Sequence, residues 1–161
     1  MININLITIG KLKENYLKDA VSEYSKRLSA FCKLNITELP ESRLSDNPGE
    51  KEIENALSNE AKLISTYINK KSAYNVSLCI EGKQLTSNEL SSKIQEVSIN
   101  GKSTINFIIG SSFGISSDIK SKSDLKLSMS KMTFPHQLAR VLLLEQIYRA
   151  FQISIGGKYH K

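Results

Sequence analysis

The chain has 161 residues, is 40% hydrophobic, and carries 22 basic against 16 acidic side chains for a net charge of +6. That length suits one domain, residues 1–161, around one core, and the charge fits either a polyanionic partner such as nucleic acid or simply a basic enzyme. No apolar run reaches the ~20 residues of a membrane-spanning helix. Met1 to Leu6 lack the basic and apolar blocks of a signal peptide, and Cys32 and Cys79 sit in no metal-ligand spacing. A cytoplasmic protein with two buried free thiols is the expectation.

Ile2, Ile4 and Leu6 alternate with polar residues, followed by Ile7 and Ile9, and predict a first strand ended by Gly10. Leu17, Ala20, Val21, Tyr24 and Leu28 recur at helical spacing. Lys11, Lys13, Lys18, Lys26 and Arg27 lie on the solvent side, as a solvated or an RNA-contacting face. Leu34, Ile36 and Glu38 begin a second strand that Pro40 stops, and 41–50 read as a loop. Ile53, Leu57, Ile64 and Ile68 mark the next helix. Val76–Ile80 reads as a third strand, with Glu81, Gly82 and Lys83 turning out of it.

Thr86 and Glu89 have the spacing of a capping box, and the helix they start carries Leu90, Ile94 and Val97. Asn100-Gly101 ends it. Ile105–Ile109 is the fourth strand, Ser116–Lys122 a short helix with Asp118 near its positive end, and Leu125 with Leu127 a short fifth strand. Pro135 is tolerated in the first turn of the last helix, with Thr133 as its expected cap. Strands and helices alternate throughout, which predicts an α/β fold with a mainly parallel sheet and helices on both faces.

At ~100° per residue, Leu138, Val141 to Leu144, Ile147, Tyr148 and Phe151 point almost all round the last helix. A helix apolar on every side is buried on every side. Either a second subunit covers it, giving a homodimer, or it is the central helix of a monomer. Arg140 lies among these apolar residues, so its guanidinium should be paired or reach a ligand. Glu145 precedes Arg149 by four residues, a favourable ion-pair order.

Gly110-Ser111-Ser112-Phe113-Gly114 follows a strand and precedes a helix, where glycines let a ligand approach the backbone. It is not a GxGxxG fingerprint. His136 and His160, the only histidines, lack the partners of a metal site, and no serine nucleophile elbow is present. Tyr159-His160-Lys161 puts a phenol, an imidazole and a cation together at the end of the sequence, either frayed or folded over a site where the ring stacks on a base. Non-enzymatic RNA binding and nucleotide binding are the rival classes. The first needs no pocket at the glycine turn, and the second lacks its phosphate fingerprint.

Gly110 to Gly114, Met129 to His136, Arg140 to Phe151 and Tyr159 to Lys161, in that order, resemble the ribosomal RNA large-subunit methyltransferase H family of the SPOUT superfamily. Ile9 to Lys13 and Glu81 to Lys83 fit the same family. The resemblance covers the whole chain. It implies a homodimer with its site near the subunit boundary and a trefoil knot in the C-terminal third, although generic topology rules disfavour knots. It also implies S-adenosylmethionine-dependent methylation of N3 of pseudouridine 1915, in helix 69 of 23S rRNA, on assembled ribosomes, with no metal.

Carried over by position, the cofactor should meet Leu78, Gly110 with Gly114 closing the same turn, and the run Met129, Ser130, Lys131, Met132, Thr133 and Phe134. His160 is the implied base or proton relay. Arg140 and Arg149 would neutralise charge or hold phosphate, and Tyr159 would stack or position the base. The family usually has a second glycine where this chain has Ser111. If Ser111 needs positive φ, the strain is of order 1 kcal/mol.

Overall fold

The alternation in the first strand sets the architecture. In a computed structural model describing residues 1–161, β1 (Asn3–Ile9) sends Ile4 and Leu6 into one core and Ile7 and Ile9 into another. β2 (Lys33–Leu39) and β4 (Thr104–Ile109) pair with it in parallel on either side. β3 (Ala73–Gln84) pairs with β4, and β5 (Leu125–Ser128) with β3, also in parallel. The sheet order is β2-β1-β4-β3-β5.

Helices cover both faces, as the alternating pattern requires. α1 (Asn15–Leu28), α3 (Ser87–Ile99) and α5 (His136–Ser154) bury Leu28, Leu90, Ile94, Leu143, Leu144 and Ile147 over the face carrying Ile4, Leu6 and Phe107. α2 (Glu50–Ile68) and α4 (Ser117–Lys122) bury Ala61, Ile64, Ile68 and Ile119 over the face carrying Ile7 and Ile108. α5 packs against both α1 and α3. Its all-round apolar pattern is therefore met largely inside the chain. What stays outward is a half-buried stripe including Leu142, Glu145 and Arg149.

Four asparagines, one per strand, stand opposite one another at Asn35, Asn5, Asn106 and Asn75. Each amide donates to the next: Asn35 to Asn5 at 3.0 Å, Asn5 to Asn106 at 2.8 Å, Asn106 to Asn75 at 2.8 Å. Asn75 ends the row by donating to the Ile68 carbonyl at 3.1 Å. A polar row can cross a buried face only because each member is satisfied.

Two local expectations are corrected. β3 does not stop at Ile80 but runs to Gln84, and Leu127 of β5 pairs with both Leu78 and Lys83. Residues 79–82 bulge out between these pairings. Gly82 permits it, because a Cβ there would lie 2.7 Å from the Lys126 carbonyl. The cap of α5 is Pro135, not Thr133. The helix begins at His136 with no side-chain cap, and the Pro135 carbonyl accepts from the Ala139 N–H. Proline at that place fixes φ and leaves no N–H wanting. The capping box of α3 is present in both halves, Thr86 receiving from the Glu89 N–H and Glu89 from the Thr86 N–H.

Candidate active site

A cavity of about 370 Å³ opens at the carboxyl ends of β3, β4 and β5, where an open parallel sheet binds its ligands. Leu78, Ile109 and Leu127 form its floor and Met129, Met132 and Phe134 one wall. Its second wall is the turn after β4. A Cβ on Gly110 would run into the Gly114 carbonyl, and Gly114 itself sits at φ +84°. Only glycine suits either place. The Gly114 N–H donates to the Ser111 carbonyl at 2.8 Å and closes the turn. No residue other than glycine has positive φ, so Ser111 is unstrained.

The turn after β5 is held by the Ser130 side chain, which accepts from the Met132 N–H at 3.0 Å, while its carbonyl accepts from Ser128 Oγ at 3.0 Å. Met132 is left 74% exposed, and with Phe113 and Phe134 it makes an apolar lip. Of the expected cofactor residues, Leu78, Gly110, Gly114, Met129, Ser130, Met132, Thr133 and Phe134 border the cavity, and Lys131 does not. The wall also includes Cys79, Glu81, Lys120 and His136, none of them among the expected cofactor or catalytic residues. Burial pushes the Cys79 thiol up, so it remains protonated near neutrality. Burial holds His136 below its ordinary value. Glu41 opposes that shift, while Arg140 and Lys13 reinforce it.

Arg149, Tyr159 and His160 gather elsewhere, on the outer face of α5. Arg149 meets Glu145 at 2.5 Å, Tyr159 donates to the same carboxylate at 3.1 Å, and His160 Nδ1 lies 3.3 Å from Arg149. The Arg149 guanidinium stands over the Tyr159 ring at 4.7 Å, and Tyr148 meets that ring edge-on at 4.9 Å. The tail is thus ordered by a charge and aromatic contacts. Burial first, then the Tyr24 hydroxyl and Glu145, push the Tyr159 phenol up to about 12.

None of Arg140, Arg149, Tyr159 or His160 borders the chain's own cavity. The cavity meets α5 in its first turn, at His136 and Ala139, and Arg149 lies roughly 15 Å further along the axis at ~1.5 Å per residue. Arg140 points the other way and is 1% exposed. It binds Glu38 at 2.7 Å and donates to the carbonyls of Ile9 at 3.2 Å and Gly10 at 2.7 Å. It ties the first turns of α5 to the ends of β1 and β2.

Behind the glycine turn lies Glu60, only 3% exposed. Burial raises its pKa, with the Ser42 N–H and the Ser111 hydroxyl pulling the other way and Glu41 adding to the rise. Ser42 donates to it at 3.0 Å.

The family model described as "Predicted SPOUT methyltransferase" matches residues 2–160. A Clostridium botulinum protein named ribosomal RNA large subunit methyltransferase H is 49% identical over 160 residues, covering 99% of this chain and 100% of that one. This chain belongs to the ribosomal RNA large subunit methyltransferase H family. Among solved structures, the methyltransferase H fold seen here is similar to that of a "probable methylase family protein" from Haemophilus influenzae. The TM-score is 0.55 at 14% identity, over 99% of this chain and 71% of that one. It is also similar to a ribosomal RNA small subunit methyltransferase E from Neisseria gonorrhoeae, bound to S-adenosyl methionine. There the TM-score is 0.50 at 12% identity, over 95% and 66% of the two chains. At those identities the likeness concerns the fold alone. The α/β architecture expected for a methyltransferase H chain is the one observed, with all five strands parallel. No helix of this family member is long and apolar enough to cross a membrane.

Proposed function

We propose that this chain transfers a methyl group from S-adenosylmethionine to N3 of pseudouridine 1915, in helix 69 of 23S rRNA, on the assembled ribosome. Its class, methylation of large-subunit ribosomal RNA, rests on the family. The observation that carries the cofactor reading is the cavity itself. Apolar side chains, a glycine turn and five residues of the 129–134 run meet at the ends of three parallel strands. Such walls suit an adenosine held by apolar contact and backbone hydrogen bonds. When bound, S-adenosylmethionine supplies a methyl group on a sulfonium, open to in-line attack.

The protein's part is to hold the target base in line and to manage its N3 proton. As that proton leaves, charge spreads to the flanking carbonyl oxygens. Arg149 has donors only, so its contact makes neutral His160 accept at Nδ1 and carry its proton on Nε2. In that state His160 offers a donor to a charged carbonyl oxygen. Freed from Arg149, the ring becomes the relay for the N3 proton. Arg149 adds positive charge, and Tyr159, neutral at working pH, stacks against or positions the base. Arg140 acts through the placement of the first turns of α5.

Because the tail lies away from its own cavity, the reading requires a homodimer in which the tail of one copy completes the cavity of the other. The exposed lip of Phe113, Met132, Phe134 and the neighbouring Leu138 supports it, as does the outward stripe of α5. The same reading takes residues 1–161 as one cytoplasmic domain whose C-terminal third is threaded as a trefoil knot around the cavity. RNA would be met by shape and by charge, including Lys11 and Lys13, giving steep salt dependence. The test is transfer of labelled methyl from S-adenosylmethionine to ribosomes lacking the modification, with the product nucleotide located by mass spectrometry. Label at N3 of that pseudouridine is expected. No label, or label on another nucleotide, removes the assignment.

A further inference from the structure

Only two side chains bordering the cavity carry a formal charge near neutrality: Glu81 and Lys120, with the Cys79 thiol protonated and His136 held neutral. They meet each other at 2.5 Å across the cavity rim. Glu81 stands there because residues 79–82 bulge from β3, and the bulge rests on the close approach of Gly82 to the Lys126 backbone. Lys120 comes from α4, whose Ile119 is fully buried against the sheet and fixes the helix. Two unconnected elements thus deliver opposite charges to one edge of an otherwise uncharged cavity.

An adenosyl sulfonium has an uncharged end, the adenosine, and a zwitterionic end with an ammonium and a carboxylate. The adenosine matches the apolar floor. We propose that Glu81 and Lys120 form the subsite for the amino-acid end of the cofactor, Glu81 accepting from its ammonium and Lys120 donating to its carboxylate. This rests on the methyltransferase reading above and names residues that reading does not use. The geometry suits a zwitterion in particular. A lone cation or anion would leave one member of the pair facing a like charge, whereas a ligand carrying both signs lets four charges alternate. Before binding, the pair compensates itself, so neither charge stands unpartnered at the rim.

The test is titration calorimetry of the full chain with two probes, S-adenosylhomocysteine and 5′-methylthioadenosine. They share the adenosine and the thioether, and only the first has the amino-acid end. Wild type should prefer S-adenosylhomocysteine. Lys120→Met and Glu81→Gln should each weaken S-adenosylhomocysteine about tenfold, the scale of one charge-assisted hydrogen bond, with 5′-methylthioadenosine changed less than twofold. Equal losses for both probes would mean that the pair only braces the rim, and unchanged S-adenosylhomocysteine affinity would mean that the amino-acid end lies elsewhere. Either result overturns the subsite while leaving the methyltransferase reading standing. Failure of wild type to bind either probe overturns both.

Discussion

Asn5 and Asn106 face each other on adjacent parallel strands, and the side-chain amide of the first donates to the carbonyl oxygen of the second at 2.8 Å. Asn106 is 0% exposed and Asn75 only 8%, while Asn5 is half-buried. Asn106→Leu strands the Asn5 donor and the Asn75 acceptor. At ~1–3 kcal/mol for each unsatisfied group, a loss of about 3 kcal/mol is expected in urea unfolding. Asn35, at the exposed end of the row, should lose under about 1 kcal/mol on change to alanine. Equal small losses at both sites would show that the row contributes little.

The glycine turn makes a contrasting pair of predictions. Gly110→Ala drives a methyl group into the Gly114 carbonyl and should weaken S-adenosylhomocysteine more than tenfold by calorimetry. Ser111 has no positive φ, so Ser111→Gly should change affinity less than threefold. A large effect at Ser111 would mean that its side chain, rather than the backbone, meets the ligand.

Arg140 gives a stability prediction with a functional echo. Arg140→Met leaves Glu38 and the carbonyls of Ile9 and Gly10 without their donor. Breaking a buried pair by one partner costs ~3–5 kcal/mol. Glu38 keeps some access to water, so about 3 kcal/mol is expected from denaturant unfolding. Arg140→Lys should recover only part of it, since one ammonium cannot span three acceptors. An undiminished unfolding midpoint in Arg140→Met would remove the structural role.

Glu60 gives a pH prediction. Its folded pKa is raised above the unfolded value, so the native state holds the proton more tightly. Stability therefore falls as pH rises from the ordinary carboxylate value through the raised one, and the full penalty is present above both. Glu60→Gln, which keeps an acceptor for the Ser42 N–H, should raise the thermal midpoint at pH 8 and change it little at pH 4. A gain of equal size at both pH values would assign the effect to packing instead.

The proposed homodimer, with the tail of one copy acting on the other, is tested by mixing two variants. His160→Ala should lower the single-turnover methylation rate about 100-fold, the low end for a lost proton-transfer group, without altering S-adenosylhomocysteine affinity. Mixing His160→Ala chains with Gly110→Ala chains should restore part of the rate, because one of the two cavities then has an intact glycine turn and an intact tail. Were each chain to use its own tail, the mixed dimers would be as inactive as their parents.

Most of the scaffold was legible because apolar spacing dictates it. The alternation of Ile4, Leu6, Ile7 and Ile9, the period of Leu17, Val21, Tyr24 and Leu28, and the Thr86–Glu89 capping pair each gave an element found in place. The extension of β3 was not legible, since glycine at 82 signals a turn as readily as a bulge. Which it is depends on the Lys126 backbone, more than 40 residues away. The cap of α5 was misplaced by two residues because threonine is the better capping side chain, while proline at 135 needs no side-chain bond at all. The pattern of α5 says that it is covered all round, and α1, α3 and the sheet supply most of that cover inside one chain. The cavity residues emerged through the resemblance rather than through chemistry, because a site built from backbone and apolar wall has no distinctive side chains. Glu81 and Lys120 look like ordinary surface charges until the fold sets them 2.5 Å apart.

Strand β5 is four residues long, has a neighbour on one side only, and grips that neighbour on both flanks of the 79–82 excursion. An outermost strand so short has little persistence by itself. A partly synthesised chain that ends before Leu125 therefore lacks Leu127, Ser128 and the 129–134 wall of the cavity, which closes only after the remainder of the sheet is in place.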